Sequence, residues 1–175
     1  MLREADVALG LTQSTGFKWS KKHPQEPIGW GGLGAPNSLA LLRAHAVTQD
    51  EKYLKAALLS TQFALGANPE NMTYTTGLGQ RSPQHPLLID QRVLGRTPPP
   101  GITVYGPIDS VEYADLWSTK WLKDTKAVYP PIGDWPTTES YFDLLLVPAT
   151  AEFTVMQTIA PSAYTWGYLA ARKGQ

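Results

Sequence analysis

The sequence predicts an all-α protein, and three observations support this prediction. Apolar residues recur at helical spacing within residues 1–13. Two apolar-periodic segments between residues 36 and 65 are joined by a short polar connection, which is typical of an antiparallel helical hairpin. A third helical pattern returns near Ser140 and continues, interrupted by two prolines, to about Arg172. We therefore expect residues 1–175 to form a single helical region with long loops.

The boundaries of the first three helices follow from their terminal residues. The first helix is predicted to end near Gly16. Pro36 suits the first position of the second helix, which should run to about residue 47. The segment Thr48-Gln49-Asp50-Glu51 has the spacing of a capping box, so a third helix should follow it. That helix should run to about Leu65, with Gly66 as the glycine just beyond its end.

The C-terminal half is less regular. Residues 68–138 show no convincing period, and a span of this length argues against a compact assignment unless it is a functional loop system on a scaffold. Short strands are an option at residues 102–105. The final helix is predicted from about Ala149 to Arg172, with apolar residues on more than one face. Such a helix requires neighbours on several sides.

Composition and charge exclude several classes of function. The 15 acidic and 15 basic residues balance, which gives no electrostatic case for nucleic acid or an anionic membrane as a partner. No apolar run approaches the ~20 residues of a membrane span, and no signal peptide opens the chain. The absence of cysteine excludes disulfides and thiolate metal sites. The three histidines are not spaced for metal binding, so we predict no metal and no cofactor. The compartment stays open.

A formal G-x-G-x-x-G sequence occurs at residues 29–34. The nucleotide-binding fingerprint needs a buried strand before it, and the segment from Lys21 to Pro27 cannot form one. We therefore interpret these glycines as allowing close backbone approach near Trp30.

The segment 141–154 carries the strongest candidates for chemistry. Asp143 and Glu152 lie nine positions apart and are the only charges in an otherwise apolar stretch. Poor solvation raises a carboxyl pKa, as a proton donor near neutral pH requires. The alternative is that Glu152 caps the last helix, where the helix dipole favours an acidic residue.

The spacing of these residues resembles the second active-site signature of glycoside hydrolase family 9, the cellulase family. Tyr141, Asp143, Glu152 and Thr154 match it, whereas Pro148 and Thr158 depart from it. The resemblance implies that Glu152 is the general acid. It also implies that Asp143 positions Glu152 or a sugar hydroxyl, and that Tyr141 contributes to substrate binding.

Residues 68–86 are similar to the first active-site signature of the same family. The matching positions are Thr73, Thr76, Gly79, Arg81 and Pro86. The family then has His-x-Arg, which contacts the sugar, and this chain has Leu87-Leu88-Ile89 instead. Arg81 is the implied substrate-binding residue of this segment. His85 lies two positions early, so it either serves after local rearrangement or is an exposed loop histidine.

The resemblance also implies a fold and a mechanism. Family 9 catalytic domains are (α/α)6 barrels of well over twice this length, so the chain is expected to be their C-terminal portion, a partial barrel with cleft-forming loops. Inverting glycosidases need a second carboxylate, and the family's Asp-x-x-Asp motif after a glycine does not occur in these 175 residues. Trp117, Trp121 and Trp135 are candidates for stacking on a sugar ring, although surplus aromatics equally suit a core.

Three readings of the whole chain remain open at this point. The first is a truncated family 9 glycosidase acting on β-1,4-glucans or related β-glucosides, with the N-terminal portion of the barrel missing. The second is a non-catalytic β-glucan-binding or partner-completed fragment, and the third is an unrelated helical domain. The loss of His-x-Arg favours exo-acting relatives that trim β-glucosides or glucosaminides. The family is usually secreted or periplasmic, although this chain shows no signal peptide.

Overall fold

The computed structural model describes residues 1–20, 38–109, 114–115, 117–124, 126, 128–144 and 148–172, with the backbone alone at 117, 118, 122, 123, 148 and 149. In these ranges the chain is helical. The α-helices are α1 (Leu2–Ser14), α2 (Leu39–Thr48), α3 (Glu51–Gln62), α4 (Ile89–Leu94), α5 (Trp117–Asp124), α6 (Pro148–Ala151) and α7 (Ala160–Ala171). Short 3₁₀ turns lie at Phe63–Leu65, Ile132–Asp134 and Thr137–Glu139, and a π-helical turn spans Val155–Ile159. The glycine cluster 29–34, Trp30 and Pro36 lie outside the described residues.

The first core is formed by α1, α2 and α3, with α7 packed against α2. Its apolar side chains recur every three to four positions on each helix, so one face of each helix is buried. The fully or nearly fully buried members are Ala5, Leu41, Leu42, Ala44, Tyr53, Ala56 and Ala57. The predicted hairpin is therefore present.

The connection between α2 and α3 differs from the predicted capping box. Thr48 is the last residue of α2, and its hydroxyl donates to the carbonyl of Ala44. Asp50 is the N-cap of α3 instead, since its carboxylate accepts a 3.0 Å bond from the Lys52 backbone N–H. A carboxylate satisfies a free N–H at a helix start as well as a hydroxyl does. The predicted capping box, which began at Thr48, therefore placed the N-cap two residues too early.

The end of α3 follows the prediction more closely. The α-helix stops at Gln62, and the 3₁₀ turn Phe63–Leu65 continues it to Gly66. Gly66 has φ +110°, which an L side chain rarely adopts. Gly66 therefore ends this helix as the sequence predicts.

The continuous final helix predicted from about Ala149 is wrong. Helix α6 ends at Ala151, Glu152 to Thr154 are not helical, and α7 begins only at Ala160 after the π-helical turn. The Thr154 hydroxyl accepts from the Gln157 N–H at 3.0 Å, and it thus caps the turn. The break leaves Glu152 on irregular backbone between two helical segments.

A second core lies under the loops of residues 68–109. Phe63, Met72, Tyr74, Val104 and Tyr141 form it, with Trp19 packed against them. The strand considered at residues 102–105 is absent: within the described ranges, pairing there is limited to one antiparallel bridge between Thr75 and Thr103. Two helices, α4 and α5, lie in the span where the sequence showed no period.

Side chains fix the backbone of this loop region. Asn68 Nδ2 donates to the carbonyls of Phe63 and Met72, at 2.6 and 2.8 Å, and so joins the end of α3 to the loop. Thr76 donates its hydroxyl to the carbonyl of Pro99 at 2.6 Å and accepts from the Ile102 N–H at 2.9 Å. The loop therefore depends on particular polar atoms.

Gly77 is required beside this contact. It has φ +69°, and a Cβ on it would lie 2.7 Å from the Pro100 Cβ. Any larger residue would push the two segments apart.

Among the described helices, none is long and apolar enough to cross a bilayer.

Candidate active site

Glu152 lies where α6 ends, and its backbone is attached to a neighbouring segment. The Tyr105 N–H donates to the Glu152 carbonyl at 2.9 Å, and the Gly106 N–H donates to the Thr150 carbonyl at 3.1 Å. These two bonds hold residues 105–106 beside residues 150–152. The residue that caps the π-helical turn is Thr154, and Glu152 lies before it. Glu152 therefore does not cap the last helix.

The Glu152 carboxyl is half-buried, and burial raises its pKa above the ordinary range of a glutamate. The Phe153 backbone N–H opposes this shift in part. The Tyr105 hydroxyl lies close enough for the Glu152 charge to raise the tyrosine pKa further, after burial as the main cause. A carboxyl that keeps its proton to higher pH is chemically suited to donate it.

Asp143 has a different environment. Its carboxylate accepts backbone N–H bonds from Gln84 at 2.8 Å and His85 at 2.9 Å, and a 3.2 Å bond from the Tyr141 hydroxyl. The His85 ring nitrogen Nδ1 lies 3.7 Å away. Asp143 thus ties the second signature to the first, and most of its acceptor capacity is used in doing so.

The two signatures meet at a second point. The Leu87 N–H donates to the Ala151 carbonyl at 2.8 Å, one residue before Glu152. The segment that replaces His-x-Arg therefore lies against the segment of the proposed acid. Ile89 begins α4, and its side chain is 65% exposed.

Glu70 is a half-buried carboxyl that sequence reasoning did not single out. It accepts from the Tyr74 hydroxyl at 3.1 Å and from the Tyr141 N–H at 3.3 Å. Burial raises its pKa to about 7, against the two hydrogen bonds and the charge of Arg81. Glu70 and Asp143 bracket Tyr141, so one line of polar contacts runs through both signatures.

The other predicted site residues are placed as follows. Tyr141 is buried, with its ring edge-to-face against Tyr74. Arg81 is exposed and donates to the Glu70 carbonyl at 2.8 Å. His85 is half-exposed beside Asp143. The structure therefore joins Tyr141, Asp143 and His85 in one cluster.

The tryptophans are not equivalent. Trp121 on α5 is 50% exposed. Trp135 donates Nε1 to the Pro130 carbonyl at 2.8 Å, and its ring meets Phe142 edge-on. The Trp117 side chain lies outside the described part of the chain. Stacking on a sugar stays a prediction for all three.

Sequence reasoning missed Arg92. Its guanidinium donates Nε to the Pro86 carbonyl at 3.1 Å and Nη2 to the His85 carbonyl at 2.7 Å. It therefore clamps the segment that holds Asp143. Predicting α4 from the sequence would have pointed to Arg92, because a helix here places Arg92 one turn after Leu88. In the described ranges, no group of three or more His, Asp or Glu is arranged to hold a metal ion.

Comparison with known proteins agrees with this geometry. The model of Glycosyl hydrolase family 9 matches residues 14–129, more than half of the chain. The chain therefore belongs to glycosyl hydrolase family 9, and the reading as an unrelated helical domain is wrong. The family match ends before Glu152.

Individual relatives extend the comparison. The xyloglucan-specific endo-beta-1,4-glucanase BoGH9A of Bacteroides ovatus is 29% identical over 113 residues, covering 61% of this chain and 19% of the relative. A metagenome-derived family 9 endoglucanase structure superimposes with TM-score 0.70 at 24% identity, over 98% of this chain and 28% of that one. AaCel9A in complex with cellobiose-like isofagomine gives TM-score 0.66 at 22% identity, over 97% and 30%.

These superpositions confirm the all-α prediction and the fold expected from the resemblance, a portion of an (α/α)6 barrel. They include the segment around Glu152, which the family model does not reach. The chain spans 19% of the length of BoGH9A and less than a third of the solved chains.

Proposed function

We propose that this chain supplies the general acid, Glu152, to a family 9 glycosidase that hydrolyses β-1,4-linked glucans or related β-glucosides with inversion. The observation that carries the proposal is the half-buried Glu152 carboxyl with its raised pKa, on backbone that the N–H groups of Leu87 and Tyr105 hold through the carbonyls of Ala151 and Glu152. Residues 1–175 act in this proposal as one unit, the C-terminal part of the catalytic domain.

The chemistry assigned to Glu152 is proton donation to the leaving glycosidic oxygen. In an inverting enzyme a second carboxylate, ~6.5–9.5 Å from the acid, activates a water on the opposite face of the ring. These 175 residues contain no Asp-x-x-Asp motif for that role. Asp143 is a poor substitute, because its oxygens already accept two backbone N–H groups and a hydroxyl. The base is therefore proposed to come from the N-terminal portion of the barrel.

The sugar itself is proposed only as a class. The name of BoGH9A gives xyloglucan as its substrate, and the structure of AaCel9A holds a cellobiose-like ligand. These relatives support a β-linked oligo- or polysaccharide as the substrate. Leu87, Leu88 and Ile89 offer no side-chain hydrogen bonds where the family has His-x-Arg. We therefore infer that this enzyme holds the sugar at the cleavage point through other groups, and that Arg81, His85 and the tryptophans are candidates.

The partner-completed reading has its own support. Several large apolar side chains are exposed on α1, α2 and the π-helical turn: Val7 at 59%, Val47 at 67% and Met156 at 84%. Exposed apolar faces on helices mark surfaces that another element covers. The N-terminal portion of the same barrel is the proposed occupant.

The test of Glu152 uses a form of the enzyme that carries both carboxylates. Glu152→Gln should lower kcat/KM on cello-oligosaccharides by roughly 10²- to 10⁴-fold, since these leaving groups need the proton. A dinitrophenyl glycoside, whose leaving group needs little protonation, should lose much less. The falling limb of the wild-type pH profile should also disappear, because Glu152 must be protonated to act.

Two variants control this experiment. Asp124→Asn changes an exposed acid on α5 and should leave both substrates unaffected. Asp143→Asn should have a smaller effect than Glu152→Gln on the poor leaving group. Equal losses on both substrates in a correctly folded Glu152→Gln enzyme would contradict the acid role.

A further inference from the structure

A pocket of about 360 Å³ lies at the end of the first signature, and neither Glu152 nor Asp143 lines it. Helix α4 and the residues on either side of it form its wall. The polar members of the lining are Gln84, His85, Gln91, Arg92, Arg96 and Thr97. A volume of this size accommodates a single sugar ring or a small organic acid.

The pocket has positive charge that no acid in the described ranges pairs with directly. Arg92 is half-buried, and two of its nitrogens are bound to carbonyl oxygens, which do not neutralise it. The third nitrogen of its guanidinium, Nη1, is buried and has no hydrogen-bond partner among the described residues. Arg96 adds a second guanidinium from the end of α4. A buried donor of this kind stabilises a bound acceptor strongly.

The nearby acids offset only part of this charge. Asp143 is close enough to act on Arg92, but it does not line the pocket, and the two lining guanidinium groups outnumber it. Asp90 lies on α4, is exposed, and is not part of the lining. The pocket thus favours an anion.

The pocket also contains an acceptor. Gln91 Oε1 is buried without a hydrogen-bond partner in the described part of the chain, while its amide nitrogen lies 3.4 Å from the Gln84 carbonyl. A simple inorganic anion at neutral pH has few protons to give to such an oxygen. A ligand with both an acid group and hydroxyl groups satisfies Arg92 and Gln91 together.

We propose that this pocket binds a hydroxylated carboxylate, namely a uronic acid unit, with Arg92 and Arg96 on the carboxylate and Gln91 on a ring hydroxyl. The choice of a sugar as the carrier of the carboxylate rests on the proposed function. The pocket would make the enzyme select glucans that carry acidic units. Neither its charge nor its acceptor depends on Glu152.

The test measures binding to the 175-residue chain by titration calorimetry, with glucuronic acid, glucose, acetate and inorganic phosphate as probes. Glucuronate should bind at least about tenfold more tightly than the other three, a difference of about 1.4 kcal/mol. Arg92→Met should weaken glucuronate binding by about tenfold or more, and Gln91→Leu should reduce its advantage over acetate. Arg43→Met, an exposed arginine of α2, is the matched control and should change nothing.

Arg92 also clamps the His85 segment, so Arg96→Met provides a variant that keeps the clamp while it removes charge from the pocket. Circular dichroism melts establish that each variant is folded. Failure of the folded chain to bind glucuronate would overturn the pocket, and equal binding of acetate or phosphate would overturn the sugar. Either result leaves the Glu152→Gln experiment untouched, so the two proposals fail separately.

Discussion

The helical hairpin region, α1 to α3 with α7, and the signature region, residues 68–109 with 137–159, are held together by different forces. The hairpin region buries small and aliphatic side chains, with Leu41 and Leu42 fully covered. The signature region has a small aromatic core. Its course is set by hydrogen bonds between side chains and backbone: Asn68 donates to a carbonyl, and Asp143 accepts from an N–H group.

The difference between them concerns tolerance and precision. Apolar burial is non-directional, so a core of this kind accepts substitutions that keep its volume. A hydrogen bond that Asp143 accepts or that Thr76 donates depends on single atoms, and its loss leaves a polar group without its partner. A site that must aim Glu152 at a glycosidic oxygen needs the second kind of constraint, and the scaffold needs only the first.

The largest expected effect tests whether the signature region suffices for catalysis. We predict that the 175-residue chain alone does not hydrolyse β-glucan or aryl glucosides, because each positioned acid or base is worth roughly 10²–10⁴-fold and the base is absent. It should also self-associate through its exposed apolar faces. Activity assays with size-exclusion chromatography measure both. Turnover by a monomer would show that an acid within this chain, with Asp143 the first candidate, acts as base.

The next effect concerns the hairpin region alone. Leu42→Ala, at a fully buried position of α2, should lower the free energy of unfolding by about 2–5 kcal/mol. Leu58→Ala, on α3 with 43% exposure, should cost less than about 1 kcal/mol. Urea unfolding followed by circular dichroism measures the two changes. Equal costs would mean that the hairpin is not held by burial.

The signature region should respond to pH through Glu70. The Glu70 pKa is raised to about 7 in the folded chain from an ordinary value of 4.5. The unfolded chain therefore releases this proton first, and the stabilisation that is complete below pH 4.5 is lost as the pH rises to about 7.

Melting temperatures between pH 4.5 and 8 test this expectation. Glu70→Gln, which is neutral throughout, should flatten the decline, while Glu4→Gln on the surface of α1 should preserve it. The same decline in the Glu70→Gln variant would assign the pH dependence to another group.

The two regions also differ in how far the sequence predicted them. The hairpin followed from periodicity, because burying one face of a helix leaves a regular trace in the sequence. The end at Gly66 followed from the left-handed backbone that only glycine adopts easily. The cap at Asp50 was placed wrongly, since several polar side chains near a helix start compete for the same N–H groups.

The signature region was recognised by resemblance and not by pattern. Helices α4 and α5 are short, and six or eight residues are too few for a clear period. The role of Glu70 depends on its contact with Tyr141, 71 positions away in the chain, which composition does not reveal. Arg92 contacts carbonyls only six and seven positions before it, but it lies on a helix too short to be predicted. The irregular backbone at Glu152 was missed because apolar residues recur on both sides of it, although Phe153, Thr154 and Val155 are only moderate helix formers.

The smallest expected effect belongs to a residue of neither core, Trp121. Its ring is half exposed on α5, whereas Trp135 is fixed by its bond to Pro130 and by Phe142. We predict that Trp121 stacks on a pyranose ring, so Trp121→Ala should weaken cellotetraose binding by about 1 kcal/mol, about fivefold, with little change in stability. Trp135→Ala should instead lower stability. Tryptophan fluorescence titration, with Trp121→Phe as the variant that keeps an aromatic face, measures the difference. Unchanged binding in Trp121→Ala would remove this residue from the sugar cleft and leave Trp117 and Trp135 as the candidates.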